Sequence, residues 1–246
     1  MKISIITVVF NAVRTFSDTI QSVKAQTYPD IEYIVVDGAS TDGTLDIVAC
    51  NHRFIHKFVS APDNGIYDAM NKGLELASGD IIAFLNADDV YSNTRVIEQG
   101  VHAIVQNDLD AVFGDAEFIN PRNPKRPVRI YRSKKFQPAR IAKGWMPAHP
   151  SLFLHRRVYD RFGKFRTHYH IAGDFEFVAR IFYGETLRYQ YVPETWVKMR
   201  MGGISTGGWR STLLLNKEIL QACRENDIQT NIFKLLSKYP AKLLEF

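Results

Sequence analysis

Cysteine is scarce in this sequence of 246 residues: Cys50 and Cys223 are the only two, with none of the paired spacings of a zinc site. That pattern fits a reducing cytoplasm and gives neither thiol a catalytic role. Apolar runs are short as well, and none is long enough to span a bilayer. The N-terminal MKISIITVVF lacks a small-residue cleavage site and meets Asn11, Arg14 and Asp18 at once, so it reads as a first core strand rather than a secretory signal. Neither G-x-x-x-x-G-K-[ST] nor a G-x-G-x-x-G after the first strand occurs, which argues against a P-loop ATPase and a dinucleotide-dependent dehydrogenase. Acid is missing from Phe118 to Tyr159, a stretch that carries Arg122, Lys125, Arg126, Arg129, Arg132, Lys134, Lys135, Arg140 and Lys143. With a net charge of +5, this stretch points either to an anionic partner or to a solvated basic face.

With 46% hydrophobic and 23% charged residues, the chain has the composition of a globular protein with one sizeable core. Its first half alternates strand and helix signals. ISIITVVF, IEYIVVDG, IHKFVSAP and DIIAFL read as strands; VRTFSDTIQSVKAQ, STDGTLDIVACNH and GIYDAMNKGLELAS read as helices. That order predicts an α/β fold with a mostly parallel sheet covered by helices. A helix over about 93–106, the strand DAVFGDAEFI and an extended or hairpin NPRNPKRPVRIYRS follow. Beyond lie the helix GDFEFVARIFYG, the strand RYQYVPETWVKMR and helical segments over about 209–226 and 231–246. The expected organisation is a first half over 1–115, a second half over 116–208 and a helical extension over 209–246.

In open parallel sheets ligands bind at the carboxyl ends of the strands. NADD after the strand AFL and DGASTDGT after YIVV therefore face one crevice. Adjacent Asp88 and Asp89 repel there, so one must take a proton or a cation must sit nearby. Carboxylates of this kind suit Mg2+ or Mn2+ shared with substrate phosphates, although Asp also serves as an ordinary helix cap or turn residue. Around Gly38, the residues Ser40, Asp42 and Thr44 could offer backbone N–H groups and short side chains to a nucleotide, or simply cap a helix.

Taken in order, SIITVVFN, YIVVDGASTDGT, NGIYDAMNKG, FLNADD, HPSLFL, GDFEF and MGGIS closely resemble the inverting family 2 glycosyltransferases of GT-A fold. The wording is most similar to the branch that builds bacterial exopolysaccharide, colanic acid or O-antigen units. The resemblance implies a nucleotide-sugar donor, very often a UDP-sugar, held by Thr7, Val8, Asp37 and Ser40, with Asp68 and Lys72 on the helix facing it. Where many members have Asp-Asp, this chain has Asp37-Gly38, which bears on the choice of base. The family's D-x-D falls on Asn86-Ala87-Asp88. It implies that Asn86, Asp88 and Asp89 serve the diphosphate and that Asp88 and Asp89 hold Mn2+ or Mg2+. Arg200, before the loop at Gly202 and Gly203, matches a phosphate contact. The catalytic base matches Asp174, which would take the proton from an acceptor hydroxyl. Many relatives carry Glu-Asp there; Gly173 replaces the Glu, leaving Glu176 as a candidate helper, and His149 falls on the acceptor side.

The acceptor implied is a saccharide or a polyprenyl-diphosphate-linked saccharide, which places the protein in the cytoplasm or on the inner face of a bacterial plasma membrane. The basic stretch 122–143 and the tail NIFKLLSKYPAKLLEF, with Lys234, Lys238 and Lys242 among leucines, are the candidate membrane contacts. The tail could equally pack on the core, because Pro240 breaks its helix. Two other functions compete. A nucleic-acid-binding or other anion-binding module rests on net charge alone, without a recognised motif. A glycoside hydrolase needs opposed carboxylates, which adjacent Asp88 and Asp89 are not.

Overall fold

A computed structural model describes residues 1–120, 123–202 and 208–237, with backbone alone for 123–126. Nine strands form one sheet: β1 Ile3–Val9, β2 Ile31–Asp37, β3 Lys57–Ser60, β4 Ile81–Phe84, β5 Val90–Tyr91, β6 Ala111–Asn120, β7 Asn123–Tyr131, β8 Leu152–His155 and β9 Tyr189–Arg200. The spatial order is β3-β2-β1-β4-β8-β6-β9-β5, with β7 beside β6. Parallel pairing joins β3, β2, β1 and β4, and again β6 and β9. Because β8 runs antiparallel to both β4 and β6, these six strands share one direction, while β5, β7 and β8 oppose it.

The helices are α1 Phe16–Lys24, α2 Thr44–Cys50, α3 Ile66–Leu76, α4 Val96–Asn107, α5 Arg156–Phe162, α6 Gly173–Phe182, α7 Trp209–Glu225 and α8 Ile232–Leu236. Side chains alternate across the strands, so each face of the sheet grows its own core. On one face Ile3, Ile5 and Val9 of β1 meet Phe16, Ile20 and Val23 of α1 and Ile97 and Val101 of α4. On the other, Ile6 and Val8 meet Met70 and Leu74 of α3, in a cluster that extends to Phe177 and Val178 of α6 and Cys223 of α7. Leu235 of α8 is buried in that second cluster, so the segment beyond Trp209 begins as part of the core.

No periodicity announces β5, a two-residue strand set by its pairing to Val197 and Lys198 of β9. The Pro-rich stretch forms β7, antiparallel to β6; Pro127 is tolerated because β7 is paired on one side only. β6 gives residues 111–113 to β8 and 116–120 to β7, with register shifts inside the β7 pairing between Phe118 and Asn120. The antiparallel insert thus sits beside the carboxyl ends of the parallel strands.

Gly100 measures how tightly α4 is seated. A Cβ there would lie 2.4 Å and 2.5 Å from ring atoms of buried Phe153. Gly100→Ala is expected to lower stability by about 1–3 kcal/mol through overpacking, read as a drop in the midpoint of thermal or urea unfolding.

Candidate active site

A cavity of about 1020 Å³ opens where β1, β2 and β4 end, and its wall continues to Arg200 at the end of β9 and to Asp174 at the start of α6. The turns that follow β1 and β2 are tied to each other. Asn11 and Ala39 both adopt left-handed φ, +49° and +64°, a conformation that Asn tolerates and Ala resists. Asn11 N donates to Ser40 Oγ at 2.8 Å and Thr41 N donates to Asn11 Oδ1 at 2.9 Å. Asp42 Oδ2 accepts from Val13 N at 3.0 Å, and its Oδ1 accepts from Thr44 Oγ1 at 2.6 Å.

Below this rim lies a buried layer. Asp37 is fully buried; its Oδ2 accepts from Ser40 N at 3.0 Å and from Ser60 Oγ at 2.6 Å, while Oδ1 is buried without a partner. Thr7, also fully buried, accepts from the Tyr33 hydroxyl at 3.1 Å. Thr7, Asp37 and Ser40 thus underlie the cavity, and Val8 and Gly38 line it. Asp68 and Lys72, expected to face a nucleotide, are outside the lining: they pair with each other at 3.2 Å. Asp68 accepts from Asn64 N, and Lys72 donates to Pro62 O, so both are spent on fastening the start of α3 to the loop before it. That loop delivers a group the sequence reading missed. A Cβ on Gly38 would lie 2.6 Å from Asp63 Oδ2, so the Asp63 carboxylate fills the space that a side chain at 38 would take.

After β4 the chain turns through Asn86 to Asp89. Asp89 N donates to Asn86 O at 3.0 Å, Thr19 Oγ1 of α1 donates to Asp89 O at 2.8 Å, and Asn86 Nδ2 donates to Asp89 Oδ2 at 3.0 Å. Asp89 is buried, whereas Asp88 is half-buried. Burial pushes the Asp88 carboxyl above its ordinary range, with Arg200 acting against the rise. Asp89 is pushed well up, first by burial and then by Asp88 beside it. Arg200 Nη2 pairs with Asp18 Oδ2 of α1 at 2.5 Å, while Nη1 is buried without a partner. A shielded guanidinium N–H lacking an acceptor beside two carboxylates pushed toward neutrality is a site short of both an anion and a cation, which a metal-bound diphosphate would supply. No group of three or more His, Cys, Asp or Glu side chains suited to a metal occurs among the described residues, so oxygen donors from a ligand would have to complete the shell.

Asp174, half-buried, stands at the first turn of α6. Burial pushes its carboxyl up, and His149, the Phe175 N–H and the Tyr67 hydroxyl work in the other direction. His149 lines the same wall, stacked on Phe84 with ring centroids 5.8 Å apart; burial pushes its imidazole down, against the pull of Asp174. Glu176, expected as a helper, does not reach the cavity. It is fully buried, bound to Arg180 at 3.0 Å and Arg166 at 3.4 Å, and the cavity does not include it. Arg200 and Gly202 are described; Gly203, Ile204 and Ser205 of the following loop lie outside the described residues.

A second group invisible in the motifs is Glu218 of α7. Its carboxylate accepts from the backbone N–H groups of His170, Ile171 and Ala172 at 2.9, 2.9 and 2.8 Å, holding the loop that leads into Asp174. Burial raises its pKa, and these donors with His170 outweigh burial and bring it below the ordinary value. The stability it contributes is therefore complete above the unfolded-state pKa and lost as pH falls through the lower folded one. Glu218→Ala is expected to destabilise by about 2–4 kcal/mol near neutrality, with the difference from the parent shrinking below pH 4 in urea titrations run across pH.

Residues 4–163 match the family model described as Glycosyl transferase family 2. An uncharacterized glycosyltransferase of Mycobacterium tuberculosis is 33% identical over 183 residues, covering 72% of this chain and 68% of the relative. A PGL/p-HBAD biosynthesis glycosyltransferase of the same organism is 28% identical over 227 residues, 89% of this chain and 82% of the relative. Among solved structures, Staphylococcus aureus TarS 1-349 in complex with UDP-GlcNAc superposes with a TM-score of 0.73 at 18% identity, over 100% of this chain and 73% of TarS 1-349. The mannosyltransferase PcManGT of Pyrobaculum calidifontis, in complex with GDP-Man and Mn2+, gives 0.67 at 20% identity, over 91% and 63% of the two chains.

Proposed function

The chain belongs to glycosyl transferase family 2 and is a glycosyltransferase of GT-A fold; from that premise we propose that it transfers a sugar, with inversion, from a nucleotide sugar to a hydroxyl of a saccharide or lipid-linked saccharide. The observation that carries this reading is the unpartnered, buried Arg200 Nη1 beside Asp88 in the cavity that Asp174 also lines. Arg200 and Asn86 receive the diphosphate. The base and ribose lie at the ends of β1 and β2 over Val8 and Gly38, with Asp37 and Asp63 as acceptors; a UDP-sugar is the donor proposed, for cell-surface polysaccharide assembly. Asp88, backed by Asp89, would hold Mn2+ or Mg2+, and the chemistry supplied there is neutralisation of charge on the departing diphosphate. Asp174 takes the proton of the acceptor hydroxyl as that oxygen forms its bond to the anomeric carbon and the bond to the diphosphate breaks on the opposite face. Its raised pKa keeps it basic enough to accept that proton.

Binding of nucleoside diphosphates and of UDP-GlcNAc and GDP-Man, titrated calorimetrically with and without Mn2+, tests the assignment. One nucleotide should bind in a Mn2+-dependent way; Asp88→Ala should remove that dependence, and Arg200→Ala should weaken binding roughly 10- to 100-fold. Binding indifferent to metal and to both substitutions would sink it.

A membrane-borne acceptor has its own support. Among the described residues no helix is long and apolar enough to cross a membrane. α8, with Phe233 80% exposed beside Ile232 and Leu236, packs on the turn Pro138–Lys143, which brings exposed apolar groups next to Lys143 and Lys234. The side chains of Arg122, Lys125 and Arg126, and the tail residues Lys238, Pro240, Lys242, Leu243 and Leu244, lie outside the described residues. We expect co-sedimentation with phosphatidylglycerol vesicles, weaker with phosphatidylcholine, and reduced at least severalfold by Phe233→Ser with Lys143→Glu.

A further inference from the structure

Asp174 follows a glycine that has no room for a side chain. A Cβ on Gly173 would meet the Tyr67 ring at 2.7 Å from Cε2 and 2.8 Å from both Cδ2 and Cζ. Tyr67, from the first turn of α3, is buried, and its hydroxyl donates to Ile171 O at 2.7 Å and lies 3.3 Å from Asp174 Oδ1. The peptide ahead of Asp174 is therefore gripped twice: Glu218 takes the N–H groups of residues 170–172, and Tyr67 takes the carbonyl of Ile171.

We propose that Tyr67 is the positioning residue of Asp174: its ring occupies the space over Gly173, and its hydroxyl serves Asp174 in both of its protonation states. This rests on Asp174 being the base. A hydroxyl has one hydrogen to donate and lone pairs to accept with. While Asp174 is charged, the Tyr67 hydrogen is shared between Asp174 Oδ1 and Ile171 O. Once Asp174 has taken the acceptor's proton, Tyr67 donates to Ile171 O alone and its oxygen accepts from the new Asp174 O–H. No other proton moves. The titratable groups facing Asp174 are His149, from the turn before β8, and Tyr67, from α3; Glu218 of α7 reaches the loop rather than the carboxylate. Burial holds the Tyr67 phenol well above its usual pKa, with the Asp174 charge adding to that, so the hydroxyl stays neutral throughout.

The test follows the Asp174 carboxyl carbon by NMR in aspartate-labelled protein, its resonance assigned with Asp174→Asn. Tyr67→Phe keeps the ring and removes the hydroxyl. The Asp174 midpoint should then rise by roughly half a unit to one unit, with the melting temperature little changed. Release of nucleoside diphosphate from UDP-GlcNAc or GDP-Man, with water as acceptor, should lose kcat, shift the acid limb of its pH profile upward and keep KM. Independently, Gly173→Ala should destabilise the parent and do so much less in Tyr67→Ala. A midpoint unmoved in folded Tyr67→Phe, or an equal Gly173→Ala penalty in both backgrounds, overturns the role of Tyr67. Release that survives Asp174→Asn overturns the base assignment instead, and the carboxyl titration still reads whether the two side chains are coupled.

Discussion

Two adjacent carboxylates at the mouth of a core strand are the constraint around which the rest of this molecule is arranged. Asp88 and Asp89 are desolvated and repel one another, and within the turn the Asp89 carboxylate accepts from the Asn86 side-chain amide. Charge to set against them comes from far along the chain: Arg200, at the end of β9, is carried there because β9 lies parallel to β6 and pairs with β5 directly after the acidic turn, and its backbone N–H also acts on Asp89. Asp18 of α1 holds Nη2 of that guanidinium, while Nη1 has no partner among the described residues. The order of strands is thus also the order in which charge is delivered to the cavity.

The parallel half of the fold was legible from the sequence because local signals agree with one another there. β1, β2 and β4 are short apolar runs ending in Gly, Asn or Asp, and α1 and α3 keep apolar residues at helical spacing. The antiparallel insertion was less legible. β5 is too short to carry a pattern, and no periodicity announces that β6 serves β8 with one end and β7 with the other.

For the cavity, the residues that the motifs singled out divide into those that line it and those that do not. Val8, Asn86, Asp88, His149, Asp174 and Arg200 line it, as their positions at strand and helix ends suggested. Asp68, Lys72 and Glu176 do not, because each is taken by a nearer partner: Asp68 and Lys72 by each other and Glu176 by Arg180, each pair one helical turn apart, with Arg166 joining Glu176 from another segment. Asp63, Tyr67 and Glu218 were overlooked for the opposite reason, since their partners are 25, 104 and 46 or more residues away. The available clue was negative: Gly38 and Gly173 each stand where a side chain was expected, and an empty place in a packed wall must be filled from elsewhere.

Both vacancies are filled from the same short segment. Asp63 closes the one at Gly38 and Tyr67 the one at Gly173, four residues apart across the start of α3. The Gly38 side and the Asp174 side of the cavity therefore share one part, a turn that Asp68 and Lys72 fasten. Loosening that turn would open the space at both glycines together.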